Sequence, residues 1–186
     1  MRAQEFAVVD VETTHGDPLV GRVIEVAVLV HDGSGIRERW HSLVDPGRAV
    51  PAFVQMLTGI TTEMVRGAPT FKELVPVIRD LTQGRIIVAH NARFDMTVLS
   101  MEFGRCKRTF ERSTLCTERL SHQLLPGLSH YNLTSLCRHL GVPISGQHRA
   151  LNDAEATLGL LALLLDAHGR DRVERAIQVW PMDRCA

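Results

Sequence analysis

The sequence predicts an α/β fold: a central mixed sheet of five strands, its first three antiparallel, flanked by helices. Two observations carry this prediction. Three apolar or β-branched runs fill the first 44 residues and are joined by short polar turns. Strand and helix patterns then alternate along the chain, as in a sheet with helices packed against it.

The stretch "FAVVDVETTH", Phe6 to His15, opens with the apolar run of a buried strand. Residues 23–31, "VIEVAVLVH", and 36–44, "IRERWHSLV", read as two further strands, and "DGSG" between them supplies a hairpin turn. "DPGR" ends this section with another turn. The stretch "PAFVQMLTGITTEMVRGAPTF" is helical and loop-rich, and "FKELVPVIRDLTQG" spaces its apolar residues as a helix that stops at Gly84. "RIIVAH", 85–90, is a fourth strand. "NARFDMTVLSMEFG", 91–104, is a helix with Asn91 as N-cap and Gly104 as C-cap. A fifth strand is expected around "STLCT", then helices near 117–124 and 132–140. The long apolar helix "NDAEATLGLLALLLDAHG" follows, with Asn152 capping and Glu155 three residues on, and residues 171–179 form a last short helix.

At 186 residues, a single domain over 1–186 is expected, with its core at about 6–168 and a short C-terminal helix and tail over 169–186. The 21 basic and 21 acidic side chains cancel, which argues against holding a long duplex by phosphate neutralisation alone. An enzyme gripping a few nucleotides is not excluded. No apolar run reaches the roughly 18 residues of a membrane span, and no export signal opens the chain, so no membrane partner and a cytoplasmic location are expected. Cys106, Cys116, Cys137 and Cys185 lack C-x-x-C spacing and read as reduced thiols.

Asp10 and Glu12 are the anomaly of the first strand. Alternation along a strand points both acids to one face. Among apolar neighbours they repel and lose hydration, which is costly without a positive partner. Asp95 falls in the first turn after the fourth strand, and Asp153 at the start of the long helix. His148 precedes Asp153 by five residues, about 500° at roughly 100° per residue, so it belongs to the loop before the helix. Singly, each has a plainer account: a helix dipole favours an acid in its first turn, an edge strand can face water, and a loop histidine is ordinary. Together, their order and spacing favour four carboxylates meeting at one end of the sheet. No charge partner is visible for them, and oxygen ligands select Mg²⁺ or Mn²⁺. Two such ions clamp the attacking and leaving oxygens of a phosphodiester displacement. His148 is the candidate base that takes the proton of the attacking water.

The segments "VVDVETT", "GITTEMVRGAPTF", "VAHNARFDMTVL", "LLPGLSHYNLTSLCRHLGV" and "HRALNDAEAT" together resemble the DEDD exonucleases, in the branch with a histidine in the third motif. The likeness is to the proofreading (epsilon) subunit of bacterial DNA polymerase III and its stand-alone relatives, and runs from about Phe6 to His168. It implies an RNase H-like fold and 3′→5′ release of nucleoside 5′-monophosphates from DNA 3′ ends. It makes Asp10, Glu12, Asp95 and Asp153 metal-binding residues, with two Mg²⁺ or Mn²⁺ ions, and His148 the general base. It also implies that Thr13 and Thr14 hold the terminal nucleotide, and that Leu57, Thr58 and Phe94 line its pocket. The expected partner is a single-stranded or frayed DNA 3′ end. RNA is the alternative substrate, and a catalytically inactive binding module the third reading. The polymerase subunit carries a further tail that binds its polymerase, whereas this chain stops soon after its last helix, so a DNA polymerase is a partner the resemblance raises without supplying that tail. His15 stands where relatives often have glycine, Asn152 replaces a non-catalytic acid, and an aspartate common in relatives is missing around Ser113 to Leu115.

Other features read more plainly. His122, His130, His139 and His148 recur at short intervals but lack cysteine companions at zinc spacing. "GRCKRTFER", 104–112, reads as a solvated basic loop, and Trp40 and Phe53 as core.

Overall fold

The computed structural model describes residues 4–144, 146 and 148–181. Cys185 and most of the C-terminal tail lie outside the described residues. The predicted antiparallel start is present: β1 (Phe6–Thr13), β2 (Val23–His31) and β3 (Ile36–Leu43) pair in sequence order. Two short helices follow, α1 (Ala52–Thr58) and α2 (Thr62–Val65), then α3 (Phe71–Thr82). β4 (Ile86–Ala89), α4 (Ala92–Arg105) and β5 (Arg112–Cys116) come next, with β4 parallel to both β1 and β5. The chain continues through α5 (Thr117–Leu124), α6 (Leu133–Leu140), α7 (Ala150–His168) and α8 (Arg170–Glu174) to β6 (Gln178–Trp180).

The sheet order is β3-β2-β1-β4-β5-β6, six strands rather than the expected five. The correction falls at residues 171–179, expected as one helix. They divide into α8 and a strand that pairs antiparallel with β5 through Ser113↔Val179. The physical reason is the open edge of β5: its backbone groups find partners in β6, and the Trp180 indole N–H donates to Ser100 Oγ at 2.8 Å, pinning the strand to α4.

Strand alternation sorts the core into two layers. Ala7, Val9, Val26, Val28 and Ile87 face α3 and α4, packing with Phe71, Ile78, Leu99 and Phe103. Phe6, Val8, Leu29, Val88 and Leu115 face the other side, where α7 lays Ala154, Leu158 and Leu161 across them. Asp10 and Glu12 share the parity of Phe6 and Val8, so they point to the α7 side. The two-faced burial of β1 and β2 explains their nearly continuous apolar sequences. β3, at the edge, is mostly exposed. Trp40 packs partly buried against the core as expected, but Phe53 does not: it is 54% exposed on α1. Among the described residues no helix is long and apolar enough to cross a membrane.

Candidate active site

The site forms where β1 runs out of a neighbour. β4 pairs with β1 only from Phe6↔Ile86 to Val8↔Val88. Beyond Ala89 the chain turns away into α4, leaving the β4-side edge of β1 open from Val9 onward. On this edge the connections part, β1 leading to β2 on one side and β4 to β5 on the other, the place where open α/β sheets hold their ligands. Asp95, in the first turn of α4, fills the opening at 3% exposure, and the Val11 backbone N–H donates to its carboxylate.

α7 closes the site from the face that carries Asp10 and Glu12. Asp153 lies in its first turn, and His148 in the loop before it, as the spacing predicted. The His148 backbone sits in the left-handed region, φ 59°, and its N–H donates to Asp153 Oδ2 at 3.0 Å. Glu12, His148 and Asp153 each offer an atom within 4.8 Å of the others, close enough to share a cation, and Asp10 and Asp95 are not part of that group.

Asn152, expected as the cap, lies inside α7 instead, and Arg149 occupies the cap position. The Asn152 amide donates to Gly146 O at 2.9 Å and so ties down the His148 loop. At α4, Asn91 does precede the helix, but in left-handed geometry (φ 61°) and without a side-chain cap bond, while Gly104 lies inside the helix and Cys106 ends it.

Burial is the largest influence on the acids. It raises the Asp10 carboxyl well above the ordinary carboxylate range, and Asp95, Glu12, Asp153 and Glu25 push it further the same way. Burial, then Asp153 and Glu25, push Glu12 up to about 8 against the opposing pull of Arg149. Asp95 is raised by burial, opposed by backbone N–H donors including that of Val11. Burial also raises Asp153, opposed by the His148 N–H and imidazole. Asp10 therefore stands within electrostatic reach of the other three predicted carboxylates, and each of the four is destabilised in its charged form. Crowded oxygen donors of this kind fit a hard divalent cation, which would let all of them ionise.

A fifth acid, Glu25, was not singled out in the sequence. It is 1% exposed and lies directly opposite Glu12 in the β1–β2 register. Arg149 holds it with Nη2 at 2.8 Å and Nε at 3.1 Å, and the Ala150 N–H donates to it at 2.9 Å. The expectation that the acids lack any positive side chain is thus corrected: Arg149 balances part of the charge. The signal was available, since an acid inside "VIEVAVLVH" is the same anomaly as Asp10 in β1.

His90 follows β4 and is used structurally. Burial lowers it to about 4, and its two ring nitrogens bond Thr117 Oγ1 at 3.0 Å and Tyr131 O at 2.9 Å. Since a carbonyl only accepts, Nε2 carries the proton and Nδ1 accepts from the Thr117 hydroxyl.

The residues expected at the substrate pocket divide. Leu57 is 53% exposed on α1, beside exposed Phe53 and Met56. Phe94 is half-buried against the core. Thr58 is buried, its hydroxyl donating to Val54 O and accepting from the Ile60 N–H, so it shapes the end of α1. Thr13 and Thr14 are also buried: the Thr13 hydroxyl donates to His15 O at 2.7 Å, and Thr14 Oγ1 accepts from the Arg22 N–H at 3.1 Å. These three hydroxyls hold the turn and loop in place.

Residues 7–161 match the RNase_T exonuclease family model. The chain belongs to that exonuclease family. It is 32% identical over 162 residues to the DNA polymerase III subunit epsilon of Aquifex aeolicus, covering 87% of this chain and 80% of that protein. It is 35% identical to the 3′-5′ exonuclease DinG of Bacillus subtilis over 88% of this chain, but spans only 18% of DinG. Among solved structures, Exonuclease X in complex with 5′ overhanging duplex DNA superposes with a TM-score of 0.77 at 26% identity, covering 92% of this chain and 96% of that one. Exonuclease I, with a TM-score of 0.79 at 21% identity over 92% of this chain and 43% of that one, shares the fold. The RNase H-like expectation thus holds, and the chain carries the fold of this exonuclease family.

Proposed function

We propose that this chain removes nucleotides one at a time from DNA 3′ ends by two-metal phosphodiester hydrolysis. Asp10, Glu12, Asp95 and Asp153 hold two Mg²⁺ or Mn²⁺ ions, and His148 is the general base, the histidine type of DEDD site. Such ions lower the pKa of water and offset charge on the leaving oxygen. His148, held to Asp153 through its own backbone, takes the proton of the attacking water. A bond forms from that water oxygen to phosphorus, and the bond from phosphorus to the 3′-oxygen of the preceding nucleotide breaks. The products are a nucleoside 5′-monophosphate and a strand one nucleotide shorter. Leu57 and Phe94 border the terminal nucleotide, while Thr13, Thr14 and Thr58 shape the loop and helix end around it.

The observation that carries the reading is the carboxylate cluster at the open edge of β1 with His148 beside it. The preference for DNA is supported by the likeness to the epsilon subunit across most of that protein's length. The same likeness makes a DNA polymerase the partner to test, and a cytoplasmic location follows the same proposal.

The test is end-labelled oligonucleotides in Mn²⁺ or Mg²⁺. Single-stranded or mismatched DNA 3′ ends should shorten stepwise, and EDTA should stop them. Equal or faster shortening of a matched RNA would replace DNA with RNA as substrate. Binding of either without cleavage would make the chain a binding module.

A further inference from the structure

A cavity of about 460 Å³ opens beside the first turn of α4. Arg93, Arg119 and Arg175 line it, from α4, α5 and the end of α8, with Glu118 as the one acid among its lining residues. Arg93 lies in the same first turn of α4 as Asp95 but about 200° round the helix, so the cavity lies across that turn from the buried carboxylate. Neither Arg93 nor Arg175 pairs with a carboxylate among the described residues. The chain as a whole carries no net charge and concentrates five acids at its site, so a polyanion approaching those acids needs a local positive surface.

We infer that this cavity is a second binding site, taking a backbone phosphodiester of the same nucleic acid whose 3′ end enters the carboxylate cluster. The inference rests on the proposed nuclease reading and extends it from the terminal nucleotide to the body of the substrate. Three guanidiniums from separate elements suit a phosphate, which takes fork-like donors from several directions. The N-terminal end of α4 adds its positive dipole to the same wall. Arg119 also reaches Gln178 on β6, so the cavity is shaped by the very strand that completes the sheet.

The experiment measures binding, in EDTA, of fluorescent single-stranded DNA and of a duplex with a mismatched 3′ terminus, by anisotropy at several salt concentrations. Arg93→Ala/Arg119→Ala should weaken binding at least fivefold and reduce the salt slope by about one per arginine removed. Arg93→Lys/Arg119→Lys should recover most of the loss. Arg79→Ala/Arg108→Ala removes the same charge from a cavity in the basic region behind α3 and should change binding less than twofold. A loss on single strands places the cleaved strand in the cavity, and a loss confined to the duplex places its complement there. Equal losses from both pairs, or none from the first, would overturn the inference. Failure of the nuclease reading shows separately, as no shortening of any labelled end by the unmodified chain in Mn²⁺.

Discussion

Arg149 and Glu25 lock the start of α7 to the middle of the sheet: the guanidinium binds both carboxylate oxygens, at 2.8 and 3.1 Å. The same carboxylate accepts the Ala150 N–H, one of the first orphan donors of α7. The pair therefore sets where α7 begins, and with it the positions of His148 and Asp153. Glu25 also faces Glu12, so one salt bridge both orients the site and screens its charge.

Glu25→Gln should keep the fold yet lower kcat at least tenfold with a smaller change in KM, because the α7 start and His148 lose their anchor while substrate contacts remain. Arg149 is 38% exposed, so solvent screening holds the pair's coupling to about 1 kcal/mol in a double-mutant cycle of thermal stability. Additive effects of Glu25→Gln and Arg149→Ala would show that the pair does not act as a unit.

Replacing a site acid should stabilise the metal-free protein. Asp10→Asn removes a buried carboxyl held unfavourably by Asp95, Glu12 and Asp153. A gain of about 1 kcal/mol raises the melting temperature by roughly 2–4 °C for a chain of this size. Hydrolysis should fall by at least about a hundredfold. Calorimetry in EDTA beside a nuclease assay tests both; a lower melting temperature would mean that Asp10 supports the fold.

Glu12 gives the metal-free protein an alkaline weakness. Its folded pKa, about 8, lies above the ordinary 4.5, so the folded state holds the proton more tightly. Its contribution is present in full below about pH 4.5 and is lost as pH rises through 8. Since cations bind the ionised form, the melting-temperature increase on adding Mn²⁺ should grow between pH 6 and 9. Glu12→Gln should flatten this part of the pH dependence in EDTA.

His90 works in the opposite direction at acid pH. Its folded pKa is about 4, below the ordinary 6.5, so its contribution is complete above 6.5 and is lost as pH falls toward 4. Protonation removes the acceptor for the Thr117 hydroxyl. His90→Asn should reduce the loss of stability between pH 6.5 and 4, measured by denaturant unfolding; an unchanged acid limb would point to another group.

His148→Gln should lower kcat by about 10²–10⁴ while leaving the melting temperature within a few degrees. Retention of most of the activity by the variant would assign the proton to another base.

Much of the fold was legible because periodicity is local. The alternation in β1 placed Asp10 and Glu12 on one face, and the residue count from His148 to Asp153 put the histidine in a loop, both without knowledge of packing. What remained hidden depended on partners far along the chain. β6 forms because β5 offers an open edge, a fact absent from residues 171–179 themselves. Thr13, Thr14 and Thr58 turn out to spend their hydroxyls on backbone groups, which no motif announces. Asn152 caps nothing, because Arg149 and Glu25 start α7 earlier.

The sequence by itself determined the order of the strands and helices as far as α7, the pairing of acids on a strand face, and the residue types able to hold a divalent cation. The tertiary structure alone decided that a fifth carboxylate joins the cluster and that Arg149 offsets it. It also decided that β1 ends its pairing early enough for Asp95 to enter. Side-chain spacing is set within a few residues, whereas burial, charge balance and open sheet edges exist only once distant segments meet.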